Sequence, residues 1–479
     1  MRSSTRPADA GAARTDGRSN DALFGALLFA LALAPRLAVA LAFAGEAVWD
    51  GHYYDFGAKR IAAGLGYSDD RSIAGQLVWH PWCHYPVGYS AFLAVFYRFL
   101  GASPAVAAVA NALVGAALAV VTWALGREGL TPTRARAAGL IVALHPGLVL
   151  YAALVMSEPL AALLTLGSFW LVLRFKSPTG FVAGAAVLGV AALVRPQALL
   201  CAPFLGLARN GSRDRIVGAF AACALAVVVV LPWTARNCRV MDGCALVSTN
   251  AGWNLAIGAF PRATGRFETL RSSDGCRDVT GQVEQDRCWL KYGLEQIRER
   301  PMRWLSLVPT KLGFTFDQES FAVEYLHEAR PEFWAEPLRT RARGLTTLVH
   351  RLLLAAAALG GIAFPLQRSK PGATMQGGLL VIAGLLGGLA FLGDSPSFWP
   401  LALFAAAVVW LPLPGAPPRT PALQLASSLL ATTILAHAVF FGEDRYHVGI
   451  IPVLALFAAA ALRPPAAQRL AFAAPNSQE

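Results

Sequence analysis

Residues 26–45 read ALLFALALAPRLAVALAFAG, and residues 48–67, just beyond them, read VWDGHYYDFGAKRIAAGLGY. The first stretch matches the roughly 20 apolar residues that a helix needs to cross the hydrocarbon core of a bilayer. The second stretch presents an aspartate, a histidine, two tyrosines and another aspartate within eight positions. A connecting loop requires none of these side chains, whereas a reaction site at a membrane surface could use them all.

The rest of the chain repeats the alternation of apolar blocks and short breaks. Hydrophobic residues make up 56% of the 479 positions and charged residues 15%, against about 25% charged residues in soluble domains. We therefore predict an all-α polytopic membrane protein with about twelve transmembrane helices, since blocks of this length suit a bilayer. The predicted spans are 21–44, 104–125, 137–153, 158–173, 180–194, 197–208, 216–234, 342–364, 376–393, 398–413, 421–441 and 447–462.

The net charge of +12 is scattered among the short breaks and forms no basic face with interleaved aromatic residues. This distribution argues against a nucleic-acid partner and fits the excess of Lys and Arg in cytoplasmic loops. We predict a multi-pass protein of the bacterial inner membrane, in contact with membrane lipids and with both termini inside. Arg36 does not suit the apolar core of a signal peptide, so we expect the first span to be an uncleaved anchor.

Three regions follow from this orientation. We predict a disordered cytoplasmic tail over 1–20, a transmembrane domain over 21–464 and a cytoplasmic tail over 465–479. Within the domain, two long segments face outward, 45–103 and 235–341, and both contain helices expected to lie along the membrane surface. Five cysteines fall in these segments, and an oxidising outer compartment permits the pairs Cys238–Cys244 and Cys276–Cys288. Other pairings, and free thiols, remain open.

Unusual polar residues all fall on the outer side of these predicted spans. They come from distant parts of the chain: Asp50, Tyr54, His84, Tyr85, Glu158, Arg195, Arg236, Tyr446, His447 and Arg445. Charged groups at the membrane edge are costly and usually functional. The guanidinium fork of arginine suits phosphate, and an aspartate can take a proton from a hydroxyl group. The set predicts an outward cleft for group transfer from a lipid-linked phosphate to a hydroxyl acceptor.

The first outer segment resembles the first-loop signature of the GT-C membrane glycosyltransferases, in the branch of bacterial dolichyl-phosphate-mannose-type and aminoarabinose-type transferases. That signature is an Asp, a Tyr four residues on, an Ala four further, and then Gly-x-Gly-Tyr. Here these positions are Asp50, Tyr54, Ala58 and Gly64-Leu65-Gly66-Tyr67. An aromatic–Arg–Pro–Pro–Gly–Tyr–Pro element is matched in part by residues 84–90, HYPVGYS, which depart from it at Tyr85, Val87 and Ser90.

Further stretches resemble family elements in the family's order. They are MSEPL (156–160), LVRPQALL (193–200), PWTARN (232–237), STNAGWNLAIGAFPRATG (248–265) and DRYH (444–447). The resemblance implies a GT-C-like fold and inverting transfer of a sugar from a polyprenyl-phosphate donor to a hydroxyl acceptor on a lipid, glycan or protein of the cell envelope. It implies Asp50 as general base, and Arg236, Arg445 and Arg195 as ligands of the donor phosphate. The implied substrate pocket holds Tyr54, His84, Tyr85, Glu158, Asn250, Asn254, Tyr446 and His447.

Each of these assignments has a simpler alternative. Asp50 and Glu158 could cap the helices that they begin, and the arginines could anchor lipid headgroups. A divalent metal at Asp50, His52, His80 and His84 is not favoured, because the spacing matches no standard zinc pattern; no cofactor is predicted. In the place of a transferase, the same cleft could serve a transporter or flippase of a lipid-linked sugar. Such proteins often contain internal repeats, and we find no convincing repeat here.

Overall fold

The computed structural model describes residues 8–362, 370–393, 396–414 and 419–462. These residues are mostly helical, and their α-helices are α1 (Ala8–Phe43), α2 (Asp50–Ala62), α3 (Val87–Leu100), α4 (Pro104–Arg127), α5 (Pro132–Leu144), α6 (Pro146–Leu150), α7 (Glu158–Arg174), α8 (Pro178–Val194), α9 (Ser212–Val240), α10 (Ala251–Ala259), α11 (Gln282–Glu299), α12 (Pro301–Ser306), α13 (Val308–Phe316), α14 (Phe321–Ala329), α15 (Glu336–Gly361), α16 (Lys370–Leu392), α17 (Trp399–Val408), α18 (Pro421–Val439) and α19 (Ile451–Ala461). Shorter 3₁₀ segments are Tyr151–Ala153, Pro196–Ala208, Ser272–Asp274, Pro331–Phe333 and Asp444–Ile450.

Seven helices in the described part of the chain are long and apolar enough to cross a membrane, or eight if the bent pair α5–α6 is one span. The predicted class, an all-α multi-pass membrane protein, is confirmed. The predicted count of about twelve is not, because α7, α8, α17 and the segment Pro196–Ala208, each predicted as a span, are apolar but short. The last of these is a 3₁₀ helix of 13 residues, which at about 2.0 Å per residue spans roughly 26 Å.

The break between α5 and α6 explains why an arginine lies inside α1. The two helices meet at 52°, and Pro146 lacks the N–H that would have bonded to the carbonyl of Val142. The fully buried guanidinium of Arg36 donates to that oxygen at 2.8 Å and to the carbonyl oxygen of Ala143 at 2.6 Å. Gly115 leaves the space for it, since a Cβ there would lie 2.5 Å from Nε of Arg36. Arg36 therefore satisfies backbone groups that a membrane interior cannot hydrate.

The first outward segment folds as α2, a two-stranded antiparallel hairpin and α3. The hairpin pairs β1 (Ser68–Ile73) with β2 (Gln76–Pro81), an element that the sequence analysis did not predict. The second segment contains α10–α14 and two disulfides, Cys238–Cys244 and Cys276–Cys288, which are two of the pairings that the sequence left open.

The structure describes only a part of one predicted tail. Helix α1 begins at Ala8, inside the stretch 1–20 that we predicted to be a disordered tail. Residues 1–7 and the predicted tail 465–479 lie outside the described residues.

Candidate active site

Asp50 is the first residue of α2, and a strained turn places it there. The preceding residue, Trp49, has a φ of 51°, in a region that non-glycine residues rarely occupy. The indole of Trp49 packs on the rings of Phe321 and Tyr325, with centroids 5.4 and 5.7 Å away. The Tyr325 hydroxyl also accepts the N–H of Val48 at 3.2 Å. Strain of this kind persists only where surrounding contacts over-determine it, and it is common at functional sites.

The carboxylate of Asp50 does not cap its own helix. Instead it accepts a hydrogen bond from the Tyr85 hydroxyl at 2.8 Å and one from Nη1 of Arg445 at 2.5 Å. Burial alone would raise the pKa of Asp50, but the charge of Arg445 and these two hydrogen bonds outweigh it and hold that pKa below its ordinary value. Asp50 is therefore an ionised carboxylate held between a phenol and a guanidinium.

Arg445 lies in the 3₁₀ segment Asp444–Ile450, which is fastened by its first residue. One carboxylate oxygen of Asp444 accepts the N–H and hydroxyl of Ser320 and the N–H of Phe321, at 2.5, 2.7 and 2.9 Å. With the segment held in this way, Nη2 of Arg445 donates to the Tyr446 hydroxyl at 3.1 Å and Nε lies 3.2 Å from Glu443.

A second arginine also lies near the Tyr446 ring. The guanidiniums of Arg195 and Arg445 lie 5.5 and 4.9 Å from the centroid of that ring. Arg195 pairs with the buried carboxylate of Glu158 at 2.6 Å and donates to Ser157 at 3.3 Å. The structure therefore places two of the three predicted phosphate ligands, Arg195 and Arg445, near each other. Each of them already pairs with a carboxylate, Arg195 with Glu158 and Arg445 with Asp50.

An apolar cleft reaches this group of charges from α7 and α18. It is a half-open cleft of about 490 Å³, a volume that includes solvent space at its mouth. Its walls are mostly small and apolar, and its charged lining residues are Arg195 and Glu158. The lining residues are Glu158, Ala161, Ala162, Thr165, Arg195, Gln197, Ala198, Leu429, Thr432, Thr433, Tyr446, Gly449 and Ile450. A lipid chain with a charged head fits such a cleft chemically, because its tail would meet methyl groups and its head would meet guanidiniums.

The charge balance around the arginines is acidic. Asp50, Glu158, Glu443 and Asp444 contribute four carboxylates around two guanidiniums, Arg195 and Arg445. Burial raises the pKa of Glu443 above its ordinary value, although Arg445 opposes the rise. An incoming phosphate would therefore compete with carboxylates that already hold both arginines.

The predicted pocket residues on the first outer segment line one wall of this site. Tyr85 stacks on Tyr53 with centroids 5.2 Å apart and meets Tyr54 edge-on at 5.4 Å. The Tyr54 hydroxyl accepts from Ser157 at 3.4 Å, and desolvation raises the pKa of Tyr54 to about 12. His84 packs edge-on against Tyr85 at 5.1 Å, and burial lowers the pKa of His84.

Arg236, the third predicted phosphate ligand, is engaged with backbone instead. Its Nη2 donates to the carbonyl oxygen of Tyr67 at 2.6 Å and its Nη1 donates to that of Trp82 at 2.9 Å. These two residues flank the hairpin, so Arg236 fastens the first outer segment to the end of α9. Asn250 accepts from Ser248 at 3.0 Å at the start of α10, and Asn254 is half-buried on that helix.

Two further histidines named in the sequence analysis, His447 and His80, face carboxylates. His447, predicted for the substrate pocket, is fully buried and faces Glu319 at 3.2 Å. His80, of the metal set that we did not favour, pairs with Asp69 at 2.7 Å within the hairpin. Glu319, Ser320 and Tyr325 were missed, because they lie in a long polar segment where no spacing marks them.

Two solved structures of other proteins are among those similar to this chain. The oligosaccharyltransferase of Archaeoglobus fulgidus, with a tethered acceptor peptide, is 13% identical over 91% of this chain and 49% of its own, with a TM-score of 0.45. ArnT from Cupriavidus metallidurans, bound to undecaprenyl phosphate, is 16% identical over 91% of this chain and 77% of its own, with a TM-score of 0.35. Both are GT-C superfamily membrane glycosyltransferases.

For this chain the resemblance to that superfamily stays a prediction, since both neighbours are below 25% identical to it and have TM-scores below 0.5. The chain spans about half the length of the archaeal oligosaccharyltransferase. No family profile matches the sequence. No curated protein matches it either.

Proposed function

We propose that the chain is a glycosyltransferase that moves a sugar from a polyprenyl-phosphate donor to a hydroxyl acceptor at the outer face of the bacterial inner membrane. One observation carries the proposal: the ionised Asp50 is paired at 2.5 Å with Arg445, beside the apolar cleft that ends at Arg195. A base, two guanidiniums and a cleft suited to a lipid chain are the parts that this transfer requires.

The donor would lie with its polyprenyl chain along the cleft and its phosphate between Arg195 and Arg445. Guanidinium forks bind phosphate through two parallel hydrogen bonds, and Tyr446 holds both guanidiniums against one ring. As the bond between the anomeric carbon and the phosphate oxygen breaks, the electron pair leaves with the phosphate. The arginines stabilise the negative charge that develops there.

Asp50 would take the proton of the acceptor hydroxyl as its oxygen bonds to the anomeric carbon. In the free protein the pair with Arg445 lowers the pKa of Asp50, which makes the carboxylate a weak base. A donor phosphate that draws Arg445 away would leave burial as the main influence on Asp50 and raise its pKa. In this scheme donor binding itself activates the base, and the products are the glycosylated acceptor and polyprenyl phosphate.

The test compares wild type with Asp50→Asn in nanodiscs, with a panel of polyprenyl-phosphate sugars and a membrane extract as acceptor source. Release of polyprenyl phosphate is measured. We expect the variant to lose at least about 100-fold in rate, the lower end of what a general base contributes. Asp55→Asn is the matched control, because Asp55 lies on the same helix but pairs with Lys59 at 2.7 Å and Tyr97 at 2.5 Å.

Two results would contradict the proposal. Full release by Asp50→Asn would remove Asp50 from the chemistry. No release from any donor, together with movement of the lipid-linked sugar across liposomes, would assign the cleft to a transporter.

A further inference from the structure

A second cluster of ionisable side chains lies behind the 3₁₀ segment that carries Arg445. Glu319 follows α13, His350 lies in α15 and His447 lies in the segment Asp444–Ile450, and all three are buried. One potential ligand atom from each lies within 4.8 Å of the other two. Oxygen Oε2 of Glu319 is 3.2 Å from Nε2 of His447 and 3.7 Å from Nδ1 of His350.

The other nitrogen of each ring determines where its hydrogen lies. Nδ1 of His447 is 2.7 Å from the carbonyl oxygen of Thr315, and Nε2 of His350 is 2.9 Å from that of Phe316. A carbonyl oxygen only accepts, so these two nitrogens are the donors. In neutral rings the nitrogens that face Glu319 then carry lone pairs. The two rings also stack, with centroids 3.8 Å apart, and two imidazolium cations stacked in this way would repel each other.

Lone pairs and a carboxylate that face one another repel unless a proton or a metal ion lies between them. Nδ1 of His350 and Oε1 of Glu319 are buried atoms without a hydrogen-bond partner in the described part of the chain. Oε1 also lies against Gly147, where a Cβ would be 1.5 Å from it. A buried carboxylate oxygen left without a hydrogen-bond donor is unfavourable. Carbonyl groups that orient metal-binding imidazoles through their second nitrogen are typical of metal sites.

We propose that Glu319, His350 and His447 bind a divalent transition-metal ion, with Zn²⁺ as the best-suited ion. Two imidazoles and one carboxylate are a common ligand set for zinc. Bonds of about 2.0–2.2 Å in tetrahedral geometry place ligand atoms roughly 3.4 Å apart, close to the separations of 3.2 and 3.7 Å from Glu319. The site is separate from the proposed phosphate site, and it stands whether or not the chain is a transferase.

His145 is the outer partner of this site. Its Nδ1 accepts the N–H of Leu148 at 3.4 Å, so Nε2 carries the hydrogen and lies 3.8 Å from Glu319. It can orient the carboxylate without binding the ion. The ion would tie the end of α13, helix α15 and the segment Asp444–Ile450 together. That segment also carries Arg445, so metal binding would help to hold Arg445 opposite Asp50.

Metal content tests the proposal directly. Full-length protein purified in detergent without chelator is analysed by mass spectrometry for bound metal, then stripped with a chelator and titrated with Zn²⁺. We expect one saturable site per chain. His350→Gln and Glu319→Gln should weaken Zn²⁺ binding by more than about 100-fold, since outer partners alone contribute roughly 10- to 100-fold. His437→Gln is the control, because His437 is buried nearby in α18 but bonds to Phe441.

A second measurement does not depend on how the variants fold. Stripped wild type titrated with Co²⁺ should develop the intense visible band of a low-symmetry site with nitrogen and oxygen ligands, and Zn²⁺ should abolish it. A wild-type protein with no bound metal and no saturable binding of Zn²⁺ or Co²⁺ would overturn the proposal. The cluster would then be an imidazolium–carboxylate ion pair.

Discussion

The guanidinium of Arg445 lies 2.5 Å from the carboxylate of Asp50, although 395 positions separate them in the chain. The pair sets the protonation of Asp50, since burial raises its pKa while Arg445 and the Tyr85 hydroxyl lower it.

In Arg445→Ala we expect the pKa of Asp50 to rise, because burial is then opposed mainly by Tyr85. The acidic limb of the profile of log kcat/KM against pH, which reports the free enzyme, should move to higher pH, and kcat should fall as the leaving phosphate loses a partner. Arg445→Lys, which keeps the charge, should move the limb less. An acidic limb unchanged in Arg445→Ala would show that Asp50 is not the titrating base.

Arg236 should contribute to stability more than to donor binding. Arg236→Ala leaves the carbonyl groups of Tyr67 and Trp82 without their guanidinium partner, which should cost roughly 1–3 kcal/mol. Thermal unfolding in detergent measures this loss, and Arg236→Lys should recover part of it. A large rise in KM for the donor with an unchanged Tm would instead favour phosphate binding, as the sequence motif implies.

Lys311 should make stability depend on pH. Its amine is buried and donates to the carbonyl oxygen of Val439 at 3.1 Å. Burial, with a smaller effect of Arg303, lowers the pKa of Lys311 from 10.5 to about 7. Between these values the unfolded chain binds more protons than the folded one, so the contribution of Lys311 to stability rises with pH through this window and is lost as pH falls through 7.

Lys311→Met should therefore flatten the rise in Tm between about pH 7 and pH 10, and the variant should gain most relative to wild type at pH 7. Lys59→Met is the control, because Lys59 is 44% exposed in a surface ion pair. Parallel Tm profiles for wild type and Lys311→Met would refute the assignment.

Arg36 should stabilise the bend between α5 and α6. Arg36→Met removes the donor from the carbonyl groups of Val142 and Ala143 in a part of the protein without water to replace it. We expect a loss of roughly 2–4 kcal/mol in the free energy of unfolding. Titration with a denaturing detergent measures it. Arg136→Met is the control, because Arg136 is partly exposed. Unchanged stability in Arg36→Met would mean that other groups donate to the carbonyl oxygens at the bend.

The disulfide Cys276–Cys288 should be present in protein isolated from membranes. It closes a loop of 12 positions, and removing such a bridge should cost about 3 kcal/mol. Cys276→Ser/Cys288→Ser is compared with Cys223→Ser, a free thiol, by thermal unfolding. Peptide mapping under non-reducing conditions identifies the bridge. Free thiols at both positions would argue against an oxidising compartment around this segment.

Composition and periodicity were enough to predict the class of this protein. A helix that crosses a bilayer must form its own backbone hydrogen bonds and carry apolar side chains along its whole length. Each span is therefore visible in the sequence as a continuous apolar block. The predicted spans 104–125 and 421–441 accordingly match α4 and α18 to within two residues at each end. The number of spans could not be predicted in the same way, because short helices and a 3₁₀ segment also appear in the sequence as apolar blocks.

The sequence also determined which residue types could carry chemistry, but only the tertiary structure decided their partners. Pairing of Asp50 with Arg445, and of Glu319 with His350 and His447, depends on how distant helix ends meet. The sequence contains no periodic pattern that marks such contacts, because each side chain is placed by the packing of elements far away in the chain. Arg236 and Arg445 are therefore alike in sequence, as arginines at an outer edge, while the fold directs one to backbone carbonyls and the other to a carboxylate.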